Sequence, residues 1–375
     1  MELFASFDFF LYALLAGLGV SLTARAVQWT RIPLRYVLAC VGLATAVLVF
    51  QDRPLQPLLV FATQVAALWL RRRKFVPTRV AVTVTMLPLI LVKTHTLSFL
   101  GMVGLSFMTF RAVDVLLFAH DEERIHPVDY VTYLFLPLTL LAGPMYRWRN
   151  FQADLRQGYA GVTMAQWRAG YEALLLGLIQ KFAIAHLVWA VGLSQVAPND
   201  YSPRGVLLNS VLYSVYLYFD FAGYSNMALG LGKMFGLNLP INFNNPILSK
   251  NPQDFWRRWH ISLSEWLRDV VFMPIYKALS KNAYFSRHRF AAQNIGIFAT
   301  LFCMGVWNGL QWHYIISGIL FGVYSVLHNW LLLAARQHPA LQRALATWPA
   351  RLLGRMLTLG AIMLALYVFS ERSPF

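Results

Sequence analysis

Charge is what this sequence has least of. Only 13% of its 375 residues are Asp, Glu, Lys or Arg, about half the share a soluble domain carries. The acids number 16 against 32 Lys and Arg. Beside a hydrophobic content of 58% and a mean hydropathy of +0.51, that scarcity excludes a soluble globular domain. Cysteine is nearly absent: Cys40 and Cys303 both fall inside apolar segments, which excludes a disulfide framework and a thiolate metal cage. Both read as small core residues. The sequence has no metal-ligand spacing, no low-complexity tract and no internal repeat. It also lacks a polar interval long enough for a soluble domain. One polar interval covers residues 119–129, with Asp121, Glu122, Glu123 and Arg124, and a second runs over 147–166. Residues 1–375 therefore read as a single membrane domain.

Apolar stretches fill the space that charge leaves. They cover residues 11–22, 37–50, 57–70, 80–92, 131–142, 173–193, 206–219, 294–306, 315–332 and 356–369. The pattern predicts an all-α, polytopic membrane protein, with a C-terminal span near residues 350–370. Several stretches fall short of the roughly 20 residues that a perpendicular crossing needs, and these read as spans with polar ends or as half-buried helices. The first begins beside Asp8 and has no basic segment before it, so it reads as a retained span rather than a cleaved signal. A net charge of +16 would suggest nucleic acid in a soluble chain. Here the basic residues flank apolar segments, which predicts anionic headgroups as the partner instead. Arg25, Arg31 and Arg35 follow the first stretch, and Arg71, Arg72, Arg73 and Lys74 follow the third. Between them lies a loop holding Asp52 and Arg53. The asymmetry places the Arg71–Lys74 turn in the cytoplasm and the N-terminus outside.

Three polar clusters interrupt this pattern. Asn238-Leu-Pro-Ile-Asn-Phe-Asn-Asn-Pro246 cannot form an ordinary helix, because two prolines and four asparagines punctuate it. The next segment, Asp254-Phe-Trp-Arg-Arg-Trp-His-Ile-Ser-Leu-Ser-Glu-Trp-Leu-Arg-Asp269, repeats apolar residues at helical spacing through Phe255, Trp259, Leu263, Trp266 and Val270. It predicts an interfacial helix with one aromatic and one charged face. Headgroup anchoring explains its tryptophans but not His260 among them. Asp220 sits inside an apolar run, where a carboxylate must be paired, be protonated or line a wet cavity. Asn308, Gln311 and His313 fall inside another apolar region. Such clusters suggest a buried polar chamber, which a transporter and an enzyme acting across the bilayer could both use.

At these clusters the sequence resembles the membrane-bound O-acyltransferase (MBOAT) family, and within it the D-alanyl-transferring, DltB-like branch. The resemblance runs over residues 88–332. It includes Pro88-Leu-Ile-Leu-Val-Lys93, Leu105-Ser-Phe-Met-Thr-Phe-Arg-Ala-Val113, Ala142-Gly-Pro144, Asp220-Phe-Ala-Gly-Tyr-Ser225, Pro240-Ile-Asn-Phe243 and the stretch from Asp254 to Met273. Residues 1–80 match only as peripheral apolar spans. The resemblance implies a ring of tilted helices around a central tunnel, with Asp220, Tyr224, Ser225 and Trp307 along it. It implies an acyl donor, D-alanine, held as a phosphopantetheine thioester on a small acidic carrier protein, and no bound cofactor. Val270, Val271, Met273 and Ile275 would dock that carrier. The acceptor would be an extracytoplasmic hydroxyl, with a small membrane relay protein as a further partner, in a bacterial cytoplasmic membrane. Acetylation of an exported polysaccharide, which other branches perform, is the alternative reaction.

The same resemblance assigns His260 to the reaction chamber. It places a second histidine in a Gly-aromatic-Trp-His-Gly pattern, where this chain reads Gly305-Val-Trp-Asn-Gly309 and so has Asn308. An amide takes up no proton at working pH, and general-base help is worth about 10²–10⁴-fold. Three readings follow. His313 serves as base, or His260 is the sole base with Asn308 orienting the acceptor or holding an oxyanion, or the chain is a catalytically silent scaffold. In a regular helix His313 lies about 140° around the axis from Asn308. It reaches the same site only if the backbone breaks, for which Gly309 is placed. Otherwise it is a capping or interfacial histidine.

Overall fold

The computed structural model describes residues 32–102, 104–140, 143–158 and 163–375. The apolar stretch at 11–22, its reading as a retained span, Arg25, Arg31 and Ala142 lie outside them. Apart from one antiparallel bridge, Phe243 to Trp259, the regular structure among the described residues is helical. The chain packs as two compact units, one made of residues up to 178 with 224–240, the other of 179–223 with 241–375.

The first unit holds α1 (Leu34–Phe50), α2 (Leu55–Arg72), α3 (Thr78–Lys93), α4 (Leu105–Phe118), α5 (Pro127–Leu134) and α6 (Trp148–Gln157). Proline sets the starts of α1 and α2, where its missing N–H costs nothing. In α1 every fourth residue is buried, namely Leu34, Leu38, Gly42, Ala46 and Phe50, while Leu43, Val47 and Leu48 face outward. Cys40 is exposed on that outward side rather than in the core, because it falls off the four-residue seam. The stretch at 131–142 is not a span. Pro137 ends it as a helix, leaving α5 and a single turn at Pro137–Thr139. Arg71 donates to Asp121 at 2.6 Å, and Arg72 donates to the carbonyls of His120, Asp121 and Glu123, so the basic turn after α2 and the acidic loop after α4 meet. The Arg71 guanidinium holds the Asp121 carboxyl below its usual range.

A polar stripe on α4 stitches this unit together. Arg111, fully buried, donates to the carbonyls of Tyr133 and Leu134, orphan acceptors at the end of α5, and to that of Thr139 in the turn that follows. One turn on, buried Asp114 accepts from Arg147 Nε at 2.6 Å and from the Trp148 backbone N–H at 2.8 Å, at the start of α6. A cation thus meets a helix C-terminus and an anion a helix N-terminus, each the favoured end of the backbone dipole. Within the Leu105–Val113 motif, Arg111 is therefore accounted for by helix-end satisfaction.

Two long helices contribute to both units: α7 (Met164–Gln195) and α8 (Pro203–Met234), each 32 residues. At about 48 Å each they exceed the roughly 30 Å hydrocarbon core, so they tilt or extend past it. Within the first unit Gly170 and Gly230 meet: a Cβ on Gly170 would lie 2.7 Å from the Gly230 carbonyl oxygen.

The second unit continues with α9 (Pro252–Trp256), α10 (Ile261–Leu267), α11 (Met273–Ser280), α12 (Ala283–Arg287), α13 (Arg289–Val306), α14 (Trp312–Gln337), α15 (Pro339–Ala346) and α16 (Trp348–Phe369). Among the described residues five helices, α7, α8, α13, α14 and α16, are long and apolar enough to cross a membrane. Their outward faces carry Leu187, Val191, Leu207, Leu327, Trp330 and Leu357, which lipid rather than water can solvate. The helices α13 and α14 form a hairpin whose backbones touch where Gly305 meets Gly318, a Cβ on the former lying 2.5 Å from the Cα of the latter. Small residues at such crossings gain close packing that apolar lipid cannot disfavour. Arg372 closes the unit, donating to Asn209 Oδ1 and to the carbonyls of Leu193 and Val196 at the end of α7.

Candidate active site

The site lies in the second unit and is built by a helix wall, a short bridge and a helix break. Asn251 starts α9 by accepting the Asp254 N–H at 2.8 Å, with Pro252 in the first turn. The helix predicted over residues 254–269 does not run through. It stops after Trp256 and resumes at Ile261, and His260 stands in the gap at φ 45° and ψ 50°. The reason is a competing partner. The Asn- and Pro-rich segment before it cannot be helical, so it lies extended and pairs with 258–261. Asn244 N–H donates to the Arg258 carbonyl at 2.9 Å, Ile261 N–H donates to the Asn242 carbonyl at 3.0 Å, and Ser262 Oγ donates to Asn242 Oδ1 at 2.5 Å. These bonds hold a left-handed residue that costs about 1–2 kcal/mol outside glycine. Strain of this kind, over-determined by its surroundings, is a mark of functional positions.

Aromatic rings enclose His260. Phe221 of α8 meets its ring edge-on at 4.7 Å and 83°, and Trp307 stands at 6.3 Å and 71°. Phe243 packs in turn against Tyr218, Phe221 and Trp259. The imidazole is 4% exposed, and neither ring nitrogen has a hydrogen-bond partner among the described residues. Burial drives its pKa from 6.5 down to about 3, so the ring is neutral across the physiological range. A neutral imidazole offers one acceptor and one donor nitrogen to whatever enters.

The remaining predicted residues divide between places. Trp307 and Asn308 follow the end of α13, and the backbone leaves helical geometry before Trp312 begins α14. Gly309 falls inside this break, and His260 and Trp307 are together. His313 is buried in the first turn of α14; its ring contacts Tyr314, which meets Phe369 of α16. Its Nε2 has no hydrogen-bond partner among the described residues. Asp220 is paired with Lys181 of α7. Tyr224 and Ser225 continue α8 in the first unit, where the Tyr224 ring neighbours Gly143. Val270, Val271, Met273 and Ile275 are half-buried, on the turn that enters α11 and on α11 itself. Lys181 was not anticipated. Its signal was available, a lone lysine inside the apolar stretch 173–193.

The pattern of the membrane-bound O-acyltransferase family matches residues 24–366. The chain belongs to this family. A teichoic acid D-alanyltransferase of Bacillus subtilis (strain 168) is 36% identical over 239 residues, covering 61% of this chain and 59% of that protein. A teichoic acid D-alanyltransferase of Streptococcus thermophilus is 30% identical, covering 76% of this chain and 73% of that protein. A probable alginate O-acetylase of Pseudomonas aeruginosa is 30% identical, covering 60% of this chain and 42% of that protein. The matched region thus spans 59%, 73% and 42% of these MBOAT relatives. All three are named for acyl transfer, and the family assignment with the five apolar helices makes this a multi-pass membrane protein.

Proposed function

We propose that this chain transfers a D-alanyl group from a thioester to a hydroxyl on an extracytoplasmic acceptor. The observation that carries the chemistry is a buried His260 whose two ring nitrogens have no hydrogen-bond partner among the described residues, inside an aromatic nest. The acceptor O–H gives its proton to the unprotonated ring nitrogen as its oxygen attacks the thioester carbonyl carbon. The tetrahedral adduct then collapses, the C–S bond breaks, and the departing sulfur takes the proton from the imidazolium. No covalent enzyme intermediate is needed. Asn308 contributes as a hydrogen-bond donor toward the developing oxyanion, a role an amide can fill. His313 is not required by this scheme.

The D-alanyl identity rests on the two relatives named for that transfer. The thioester is that of a phosphopantetheine on an acidic carrier protein, docked over Val270, Val271, Met273 and Ile275 from the cytoplasmic side. A small relay protein is a candidate acceptor, and the membrane is the bacterial cytoplasmic one. The alginate O-acetylase relatives favour acetyl transfer to a polysaccharide as the second reading. Reconstituted protein supplied with D-alanyl-charged carrier, and separately with an acetyl donor, distinguishes the two. D-alanyl ester formation that depends on the protein supports the proposal. Acetyl transfer with an inert D-alanyl carrier replaces it.

A further inference from the structure

Lys181 is an ionisable residue within a membrane-crossing helix. It sits in the π-helical turns of α7 at Ile179–Ala185, a geometry enriched at functional positions. Its side chain is 10% exposed and pairs with Asp220 of α8, itself 32% exposed. Neither charge belongs at membrane depth alone, because an unpaired ion there is strongly disfavoured. The pair therefore ties α7 to α8 at one level along both helices.

That level is the His260 site. Asp220 is followed by Phe221, whose ring meets His260, and preceded two residues earlier by Tyr218, whose ring packs on Phe243 and Trp259. Tyr218 and Phe221 are three residues apart and share one side of α8, whereas Asp220 points about 130° away from that side. So α8 is gripped from behind by an ion pair while its front supports the imidazole.

We propose that Lys181, acting through Asp220, is a positioning residue for His260: the pair fixes the rotation and height of α8 that keep Phe221 against the imidazole. Lys181 touches no reacting atom in this assignment. Its effect is on how well His260 is enclosed.

The test reads that enclosure in the resting protein and does not depend on the reaction proposed above. Diethyl pyrocarbonate acylates neutral, accessible imidazoles, and the extent at each histidine is read by peptide mass spectrometry. In the parent, His260 reacts slowly and exposed His338 quickly. Lys181→Met raises the His260 rate by about tenfold, as expected of a local opening made that much easier, with His328 and His338 unchanged. Lys181→Arg restores the parent rate, since it keeps the pair. The variant Lys181→Met/Asp220→Asn leaves no lone charge to compromise folding and shows the same selective acceleration. An unchanged His260 rate in that double variant overturns the proposal. Equal acceleration at His328 also overturns it, since the pair would then act on the whole unit. A second arm rests on the acyl-transfer reading: kcat falls in Lys181→Met while KM for the charged carrier holds. A changed KM with constant kcat would make Lys181 a substrate contact and sink the positioning role.

Discussion

At residue 260 the backbone conformation decides how the chemistry should be probed. Alanine there would lose the imidazole and also sit in the left-handed region, where a non-glycine residue costs about 1–2 kcal/mol. Asparagine tolerates that region. His260→Asn is therefore expected to abolish acyl transfer while the melting temperature in detergent stays near the parent value. Activity within tenfold of the parent would place the base elsewhere. The same comparison settles the Gly305–Gly309 segment. Asn308→Ala should lower kcat by about 10²–10³-fold if its amide holds an oxyanion, and His313→Ala should cost far less, its ring being packed on Tyr314. A His313→Ala loss as deep as that of His260→Asn would make His313 the base. The neutral state of His260 also has a pH signature. Its folded pKa, about 3, lies below the ordinary 6.5, so below pH 6.5 the unfolded chain takes up a proton that the folded one refuses. Stability contributed at neutral pH is then lost progressively from about 6.5 down toward 3. His260→Asn should flatten that part of a stability-against-pH curve. The kcat/KM profile of the parent should show no inflection near 6.5 from this residue.

At the scale of elements, helix ends carry much of the specificity. Arg372→Ala strands the Leu193 and Val196 carbonyls at the end of α7 and the Asn209 amide. We expect a loss of about 1–3 kcal/mol, read as a lower melting temperature with unchanged expression, and an unaltered melting curve would refute the clasp. Helix existence was legible in the sequence because hydropathy reports it directly: the stretches at 173–193, 206–219, 294–306, 315–332 and 356–369 all lie in the five crossing helices. Helix ends were less legible. The stretch at 206–219 stops at Asp220, yet α8 runs on to Met234, because Lys181 neutralises the carboxylate and no backbone signal ends the helix there. Pro137 did end the 131–142 stretch, against its hydropathy. The motif around His260 was legible as a site but not as a shape. Its apolar spacing reads as one helix, and only the pairing with Asn242 and Asn244, which spacing along one segment cannot reveal, breaks it. Lys181 stands out in the sequence as a lone lysine within 173–193, but the partner that gives it a role lies 39 residues away.

Across the whole molecule, orientation follows from where the basic residues fall. With Arg71–Lys74 cytoplasmic, Arg73→Cys in a background lacking Cys40 and Cys303 should resist an impermeant maleimide applied to intact cells and react after permeabilisation. Labelling in intact cells would invert the topology. The acids follow a different pattern. Asp114, Asp129, Asp220 and Asp254 are held by Arg147, Arg35, Lys181 and Arg258, and Asp154 by Tyr146 and Asn238. These five of the chain's 16 acids are tied to intramolecular partners, and with 32 Lys and Arg the molecule keeps a net charge of +16. In a detergent micelle such a molecule is a cationic colloid. It should bind a cation exchanger at mildly alkaline pH and carry anionic phospholipid through purification. The headgroup composition of the reconstituting vesicle is then an experimental variable for any rate measured on this protein.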